Sequence, residues 1–193
     1  MKHLAQLLFM TLLCTACAQP PQYTAEELAL RKEIGEMLLV GFRGTELCDS
    51  MHIVRDVKQY HIGGVILFEY DAPSQSRPRN IVSSQQLQRL CTQLQALSEE
   101  TLFISIDQEG GYVNRLKEKY GFPPFASAAS QAKTNSVRAT AKETAQTLHS
   151  MGINLNFAPC VDVNTNPGCP IIGKLERSFS ADPTKVAECA AVS

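Results

Sequence analysis

An apolar run that halts at two acids and two glycines constrains this chain more than any other stretch. Leu102-Phe103-Ile104-Ser105-Ile106 leads straight into Asp107-Gln108-Glu109-Gly110-Gly111. A short apolar run bounded by turn residues reads as a strand buried on both faces, and such strands belong to parallel sheets covered by helices. The two glycines let the backbone turn tightly as it leaves the core. Asp107 therefore caps the C-terminal end of a buried parallel strand, where α/β folds gather their binding and catalytic groups.

The rest of the chain alternates in the same way. Ala25 to Met37 reads as a helix, with Thr24 and Glu27 forming a capping box. Strands are expected at Met37–Phe42, Gly63–Phe68, Leu102–Ile106 and Ile153–Val161. Between them, apolar residues at helical spacing predict helices over Ser50–His61, Ile81–Ser98 and Ser136–Met151. Along the last, Val137, Ala141, Thr144, Ala145 and Leu148 should face inward. Pro73–Arg79 and Tyr120–Ser127 read as loops, and Asp182-Pro183 opens a further helix. Alternation of this kind predicts a parallel sheet with right-handed crossovers. Two architectures fit: a small open doubly wound sheet, or the first part of a (β/α)8 barrel, whose full form needs roughly 250 residues. Four strands of a barrel would leave open edges and an uncovered apolar interior.

With 193 residues and 44% apolar content, a single domain with a real core is expected. Lys and Arg number 18 against 19 Asp and Glu, and no basic run stands out. Nucleic acid is therefore excluded as a partner on charge. The first residues form a separate segment. Lys2 and His3 precede an apolar stretch, Leu4 to Leu13, too short to span a bilayer, and small residues follow. This is the pattern of a signal peptide, residues 1–16. Leu13-Cys14-Thr15-Ala16-Cys17 resembles the signal of a bacterial lipoprotein, which implies lipid attachment at Cys17. A Pro/Gln-rich tether, 17–24, would then lead to the domain at 25–193. Ordinary secretion is the alternative. Of the remaining cysteines, Cys48, Cys91, Cys160, Cys169 and Cys189 are odd in number and form no C-x-x-C pair. They read as small buried apolar residues, with Cys160 and Cys169 the one pair close enough in sequence to bridge. No metal site or cofactor is expected.

Two strand-end loops concentrate the polar groups. The first runs Asp107-Gln108-Glu109-Gly110-Gly111-Tyr112-Val113-Asn114-Arg115-Leu116. The second runs from Phe157-Ala158-Pro159-Cys160-Val161-Asp162-Val163 through Asn166-Pro167-Gly168-Cys169-Pro170-Ile171-Ile172-Gly173 to Arg177-Ser178-Phe179. Together they resemble the β-N-acetylhexosaminidase branch of family 3 glycoside hydrolases. That branch carries D-Q-E-G-G-x-V-x-R-L after its third strand, then F-A-P-x-x-D-V, N-P-x-x-P-[VI]-I-G and R-S-F near its fourth. The resemblance covers about Ile34 to Ala191. Two departures are Tyr112, where Arg is common, and the three residues Lys174-Leu175-Glu176, where one is usual.

The resemblance implies an α/β fold that is a partial TIM (β/α)8 barrel, its first four to five β/α units. It also implies a glycosidase that releases terminal β-linked N-acetylglucosamine when complete, with an N-acetylglucosamine-containing glycan as partner. Asp107, Arg115 and Arg177 match the residues that bind the terminal sugar. Their chemistry suits sugar binding, because an ionised carboxylate accepts from two adjacent hydroxyls and guanidinium forks donate to hydroxyls or an acyl oxygen. Each has a plainer role open to it. Asp107 would cap its loop, and either arginine would pair with Glu109 or Asp162; those two acids themselves read as structural. Asp107 and Glu109 share a face if the strand continues, which invites their assignment as the paired carboxyls of a retaining glycosidase. The resemblance places that chemistry elsewhere, on a late-strand Asp and on a His following K-H-x-P-G-H-G, and neither is matched in these 193 residues. The expectation is a recognition half without catalytic residues, inactive alone, its C-terminal half missing, held at the cell envelope by lipid. The competing readings are a non-catalytic sugar-binding lipoprotein and an unrelated open α/β protein.

Overall fold

The computed structural model describes residues 22–193. The signal-peptide reading, the first five residues of the tether and lipid attachment at Cys17 lie outside them. The described residues fall into two units, 22–31 and a compact 32–193. Helix α1 (Ala25–Glu36) starts in the first and begins with the expected capping box. Thr24 N donates to Glu27 Oε2 (2.8 Å) and Glu27 N to Thr24 Oγ1 (3.2 Å), satisfying two helix-end donors reciprocally.

In the second unit the elements run β1 (Leu39–Gly41), α2 (His52–Tyr60), β2 (Gly64–Leu67), α3 (Ser84–Gln95), β3 (Phe103–Ile106), α4 (Ala128–Lys133), α5 (Val137–Met151), β4 (Leu155–Asn156) and α6 (Pro183–Ala190). All three strand pairings are parallel and the order is β1-β2-β3-β4. A doubly wound sheet reverses strand order at a switch point. This sheet grows in one direction, as a barrel wall does.

Its two faces differ. Val65, Leu67, Ile104 and Ile106 point at the helices and are at most 1% exposed. They pack with Ile53, Val54 and Val57 of α2, Leu87, Leu90 and Leu94 of α3, and Leu148 of α5. In register on the other face stand Leu39, Gly64 and Phe103, then Gly41, Ile66, Ser105 and Leu155. There Phe103 is 52% exposed, and Phe157 just past β4 is 51% exposed. The apolar interior expected of a partial barrel is thus uncovered among the described residues.

Several boundaries depart from the sequence reading. Helix α3 starts at Ser84 rather than Ile81, because Ser83 caps it by accepting from Gln86 N (3.1 Å). The preceding Asn80 is fully buried instead. Its Oδ1 accepts from Phe68 N, and its Nδ2 donates to the Phe42 and Gly44 carbonyls. The predicted loop before Ser127 is followed by the short helix α4, which Ser127 caps. Strand β4 is two residues long, not nine. Asn154 and Asn156 spend their side chains on β3: Asn154 accepts from Ile104 N, and Asn156 accepts from Gln108 N. Pro159 then offers no N–H to continue the ladder. On α5, Val137 and Leu148 are buried as expected, but Ala145 is exposed. The cysteines are all free among the described residues, Cys160 and Cys169 included. Cys91 and Cys189 are buried as expected, and burial pushes the Cys91 thiol up to about 12. Cys48 is exposed, and Cys160 and Cys169 are half-buried. The Cys169 thiol is lowered by the N–H groups of Ile171 and Ile172.

Candidate functional site at the end of strand β3

Asp107 follows β3 and continues its concave face, in line with Phe103 and Ser105. No backbone donor reaches its carboxylate among the described hydrogen bonds, so it does not cap its loop. Gln108 does that. At 2% exposure it accepts from Arg115 N (3.0 Å) and Leu116 N (3.1 Å) through Oε1, and its Nε2 donates to Asn114 Oδ1 (2.8 Å). The turn itself needs Gly110 (φ 89°) and Gly111 (φ 56°). A Cβ on Gly110 would also run into the Ala126 carbonyl.

This fold of the loop returns Arg115 to Asp107. Arg115 Nη2 donates to Asp107 Oδ2 at 3.3 Å, with the two side chains 23% and 30% exposed. Pairing of Arg115 with Glu109 or Asp162 is therefore not what occurs. Its Nε is enclosed and makes no hydrogen bond. Glu109, only 8% exposed in its side chain, is held by the other arginine. Arg177 Nε donates to Oε2 (2.8 Å) and Nη2 to Oε1 (2.7 Å), a bidentate fork across 68 positions of sequence. That hydrogen bonding raises the Arg177 pKa against the opposing effect of burial, and the nearby charge of Asp107 adds to the rise. The three residues singled out from the sequence thus converge at one strand end. Ahead of Arg177, Glu176 takes a left-handed φ of 53°, and Arg177 N donates to the Ile172 carbonyl (3.1 Å). Asp162 is exposed, and its Oδ1 accepts from Val163 N, the loop role expected of it.

Sequence reading missed a second group of charges at the end of β2. Glu69 accepts from Arg77 Nε (2.5 Å) and Lys117 Nζ (2.7 Å). Burial pushes the Glu69 carboxyl up, but the hydrogen bonds from Arg77 and Lys117 outweigh it and hold the group below its ordinary value. Asp71 accepts from Ser74 and from Arg43 Nε (2.9 Å), which lower its carboxyl too. The only local signal was the spacing: Glu69-Tyr70-Asp71 after β2 mirrors Asp107-Gln108-Glu109 after β3. No set of three or more His, Cys, Asp or Glu side chains that could hold a metal ion occurs among the described residues. No described helix is long and apolar enough to cross a membrane.

The model of the glycosyl hydrolase family 3 N terminal domain matches residues 29–192. This chain belongs to glycosyl hydrolase family 3. The unrelated open α/β reading is thereby excluded. Among relatives, beta-hexosaminidase A of Pseudoalteromonas piscicida is 37% identical over 140 residues, covering 67% of this chain and 22% of that protein. Among solved structures, a family 3 beta-N-acetylglucosaminidase from Paenibacillus sp. superposes with a TM-score of 0.72 at 32% identity, covering 84% of this chain and 30% of that one. NagZ from Neisseria gonorrhoeae, in complex with N-trifluoroacetyl-D-glucosamine, gives a TM-score of 0.66 at 27% identity over 80% of this chain and 45% of its own. The family 3 chain spans less than half of each of these proteins.

Proposed function

We propose that this family 3 chain is the sugar-recognising part of a β-N-acetylhexosaminidase, and that it grips the terminal β-linked N-acetylglucosamine of a glycan with Asp107, Arg115 and Arg177. One observation carries the reading. Asp107 is the least saturated carboxylate of the four at the β2 and β3 ends, with one long hydrogen bond at 3.3 Å and a side chain 30% exposed. Its open lone pairs accept two vicinal hydroxyls. Arg115 stays beside it as a cationic partner, with Nη2 engaged on Asp107 Oδ2. Arg177, fixed by Glu109, keeps Nη1 only weakly engaged with the Ile171 carbonyl (3.4 Å) and directs it at an acyl or hydroxyl oxygen.

Retaining hydrolysis needs a nucleophile and a proton donor placed about 5–5.5 Å apart as two carboxyls, or an equivalent pair. Glu109 gives both oxygens to Arg177, so it positions an arginine rather than reacting. The chain binds and orients, and cleavage falls to residues outside these 193. The same reading puts the protein at a bacterial cell envelope, anchored through lipid on Cys17. Metabolic labelling with palmitate tests that part: label should attach to the wild type and be absent from Cys17→Ser.

The sugar site is tested by calorimetric titration of the chain with N-acetylglucosamine, alongside an assay with a chromogenic β-N-acetylglucosaminide. Saturable heat that Asp107→Ala abolishes, without turnover, is the expected outcome. Absence of binding by a folded wild-type chain would overturn the reading.

A further inference from the structure

Arg115 is held less by its own hydrogen bonds than by what surrounds it. Among the described residues its guanidinium donates only to Asp107 Oδ2, at 3.3 Å, and its enclosed Nε has no acceptor. One long contact is a weak hold on so long and rotatable a side chain. Its place therefore depends on the backbone that carries it. Gln108 fixes that backbone from one side, by accepting from Arg115 N and Leu116 N. Leu116 anchors it in the core, where it is fully buried.

The other hold comes from strand β2. Lys117, two residues past Arg115, donates through Nζ to Glu69 Oε1 at 2.7 Å. Glu69 stands two residues beyond the end of β2, and the preceding Phe68 puts its ring 5.8 Å from the Arg115 guanidinium. Two adjacent residues of one strand end thus meet Arg115 and Lys117. The parallel pairing makes this possible, because Leu67 lies beside Ile106 and both ends leave the sheet at the same level.

Glu69 serves two cations, and they do different things. Arg77 takes both oxygens, through Nε to Oε2 (2.5 Å) and Nη2 to Oε1 (3.2 Å), and its guanidinium lies 4.6 Å from the Tyr70 ring. That branch stays within the segment that follows β2. Only the Lys117 branch crosses to the loop that bears Arg115. Lys117 has no need of it for its own sake, since its side chain is 34% exposed and water would solvate the ammonium. What the pair supplies is a fixed place for the main chain two residues back. The carboxylate is 4% exposed, so withdrawing a cation from it leaves buried charge less compensated, which makes the tie stiff.

We propose that Glu69 and Lys117 are positioning residues: their ion pair clamps residues 115–117 against the end of β2 and so holds the Arg115 guanidinium beside Asp107. Neither is required to touch a ligand. The inference rests on Asp107 and Arg115 forming the sugar site. Its test compares Lys117→Met with Arg77→Met in the 193-residue chain, by calorimetric titration with N-acetylglucosamine and by chemical denaturation. Lys117→Met should weaken binding about tenfold, as loss of one net hydrogen bond from a charged donor does. Arg77→Met removes the larger share of the hydrogen bonds to Glu69, so it should destabilise at least as much yet leave the affinity unchanged. Lys117→Arg, which keeps a cation within reach of Glu69, should restore binding. A readout without sugar is solvent exchange of the enclosed Arg115 Nε–H, followed by NMR, which should quicken in Lys117→Met and not in Arg77→Met. Unchanged affinity and exchange in Lys117→Met, or equal weakening by both Met variants, would overturn the positioning role and leave the Asp107 reading intact. A folded wild type that binds no sugar would overturn the Asp107 reading and this inference with it.

Discussion

Strands β2 and β3 end alike in sequence and unlike in space. Each releases an acid, one spacer and a second acid: Glu69-Tyr70-Asp71 and Asp107-Gln108-Glu109. At β2 both side chains are 4% exposed, and ion pairs with Arg77, Lys117, Arg43 and Arg79 enclose them. At β3 only the second acid is so enclosed, by Arg177, and Asp107 keeps an open flank. The lesson is that an acid at a strand end is read by how much of its carboxylate stays open. A carboxylate shut in by cations holds loops together. One with room holds a ligand.

The sharpest way to break this comparison is to delete one acid from each end. Glu69→Ala strands Arg77 and Lys117 beside a buried hole and should cost about 3 kcal/mol of stability, at the low end for breaking a buried pair because both cations keep partial contact with water. Chemical denaturation reads it. Asp107→Ala should cost less than about 1 kcal/mol in the same measurement, as loss of a part-exposed single ion pair does, while abolishing sugar binding. If the two variants destabilise equally, the distinction between the strand ends is wrong.

Gln108→Ala comes next in size. It leaves the buried N–H groups of Arg115 and Leu116 without an acceptor, at a cost of about 2 kcal/mol. Because that loop returns Arg115 to Asp107, sugar affinity should fall with it, although Gln108 itself takes no part in gripping the sugar. Gln108→Glu keeps the acceptor but loses the donor to Asn114 Oδ1 and buries a carboxyl, so it should recover only part of the stability.

The smallest effect is on pH. Glu69 sits below its ordinary value in the folded state, so the unfolded chain binds its proton first as pH falls. Its contribution is therefore complete above the unfolded value of about 4.3 and is lost as pH drops through the lower folded value. Stability of the wild type should decline on that limb, and Glu69→Gln should flatten the decline. A wild-type acid limb that this variant leaves unchanged would move the assignment to Asp71.

Much of this could be read from residues alone. Short apolar runs and helical spacing place four strands between helices, the two glycines turn the chain after β3, and Thr24 with Glu27 caps α1. These are local rules acting over a few residues. The motif order likewise placed Asp107, Arg115 and Arg177 in one family pattern. What periodicity does not carry is which charge meets which. Glu69 meets Lys117 across 48 positions and Glu109 meets Arg177 across 68, and only sheet register brings such partners within reach. The same holds for β4, shortened because Asn154 and Asn156 turn their amides onto β3. Strand and helix follow from backbone geometry that each short segment feels by itself. The division of carboxylates into spent and available was settled by Coulomb attraction and desolvation between distant segments, and these act only after the chain has packed.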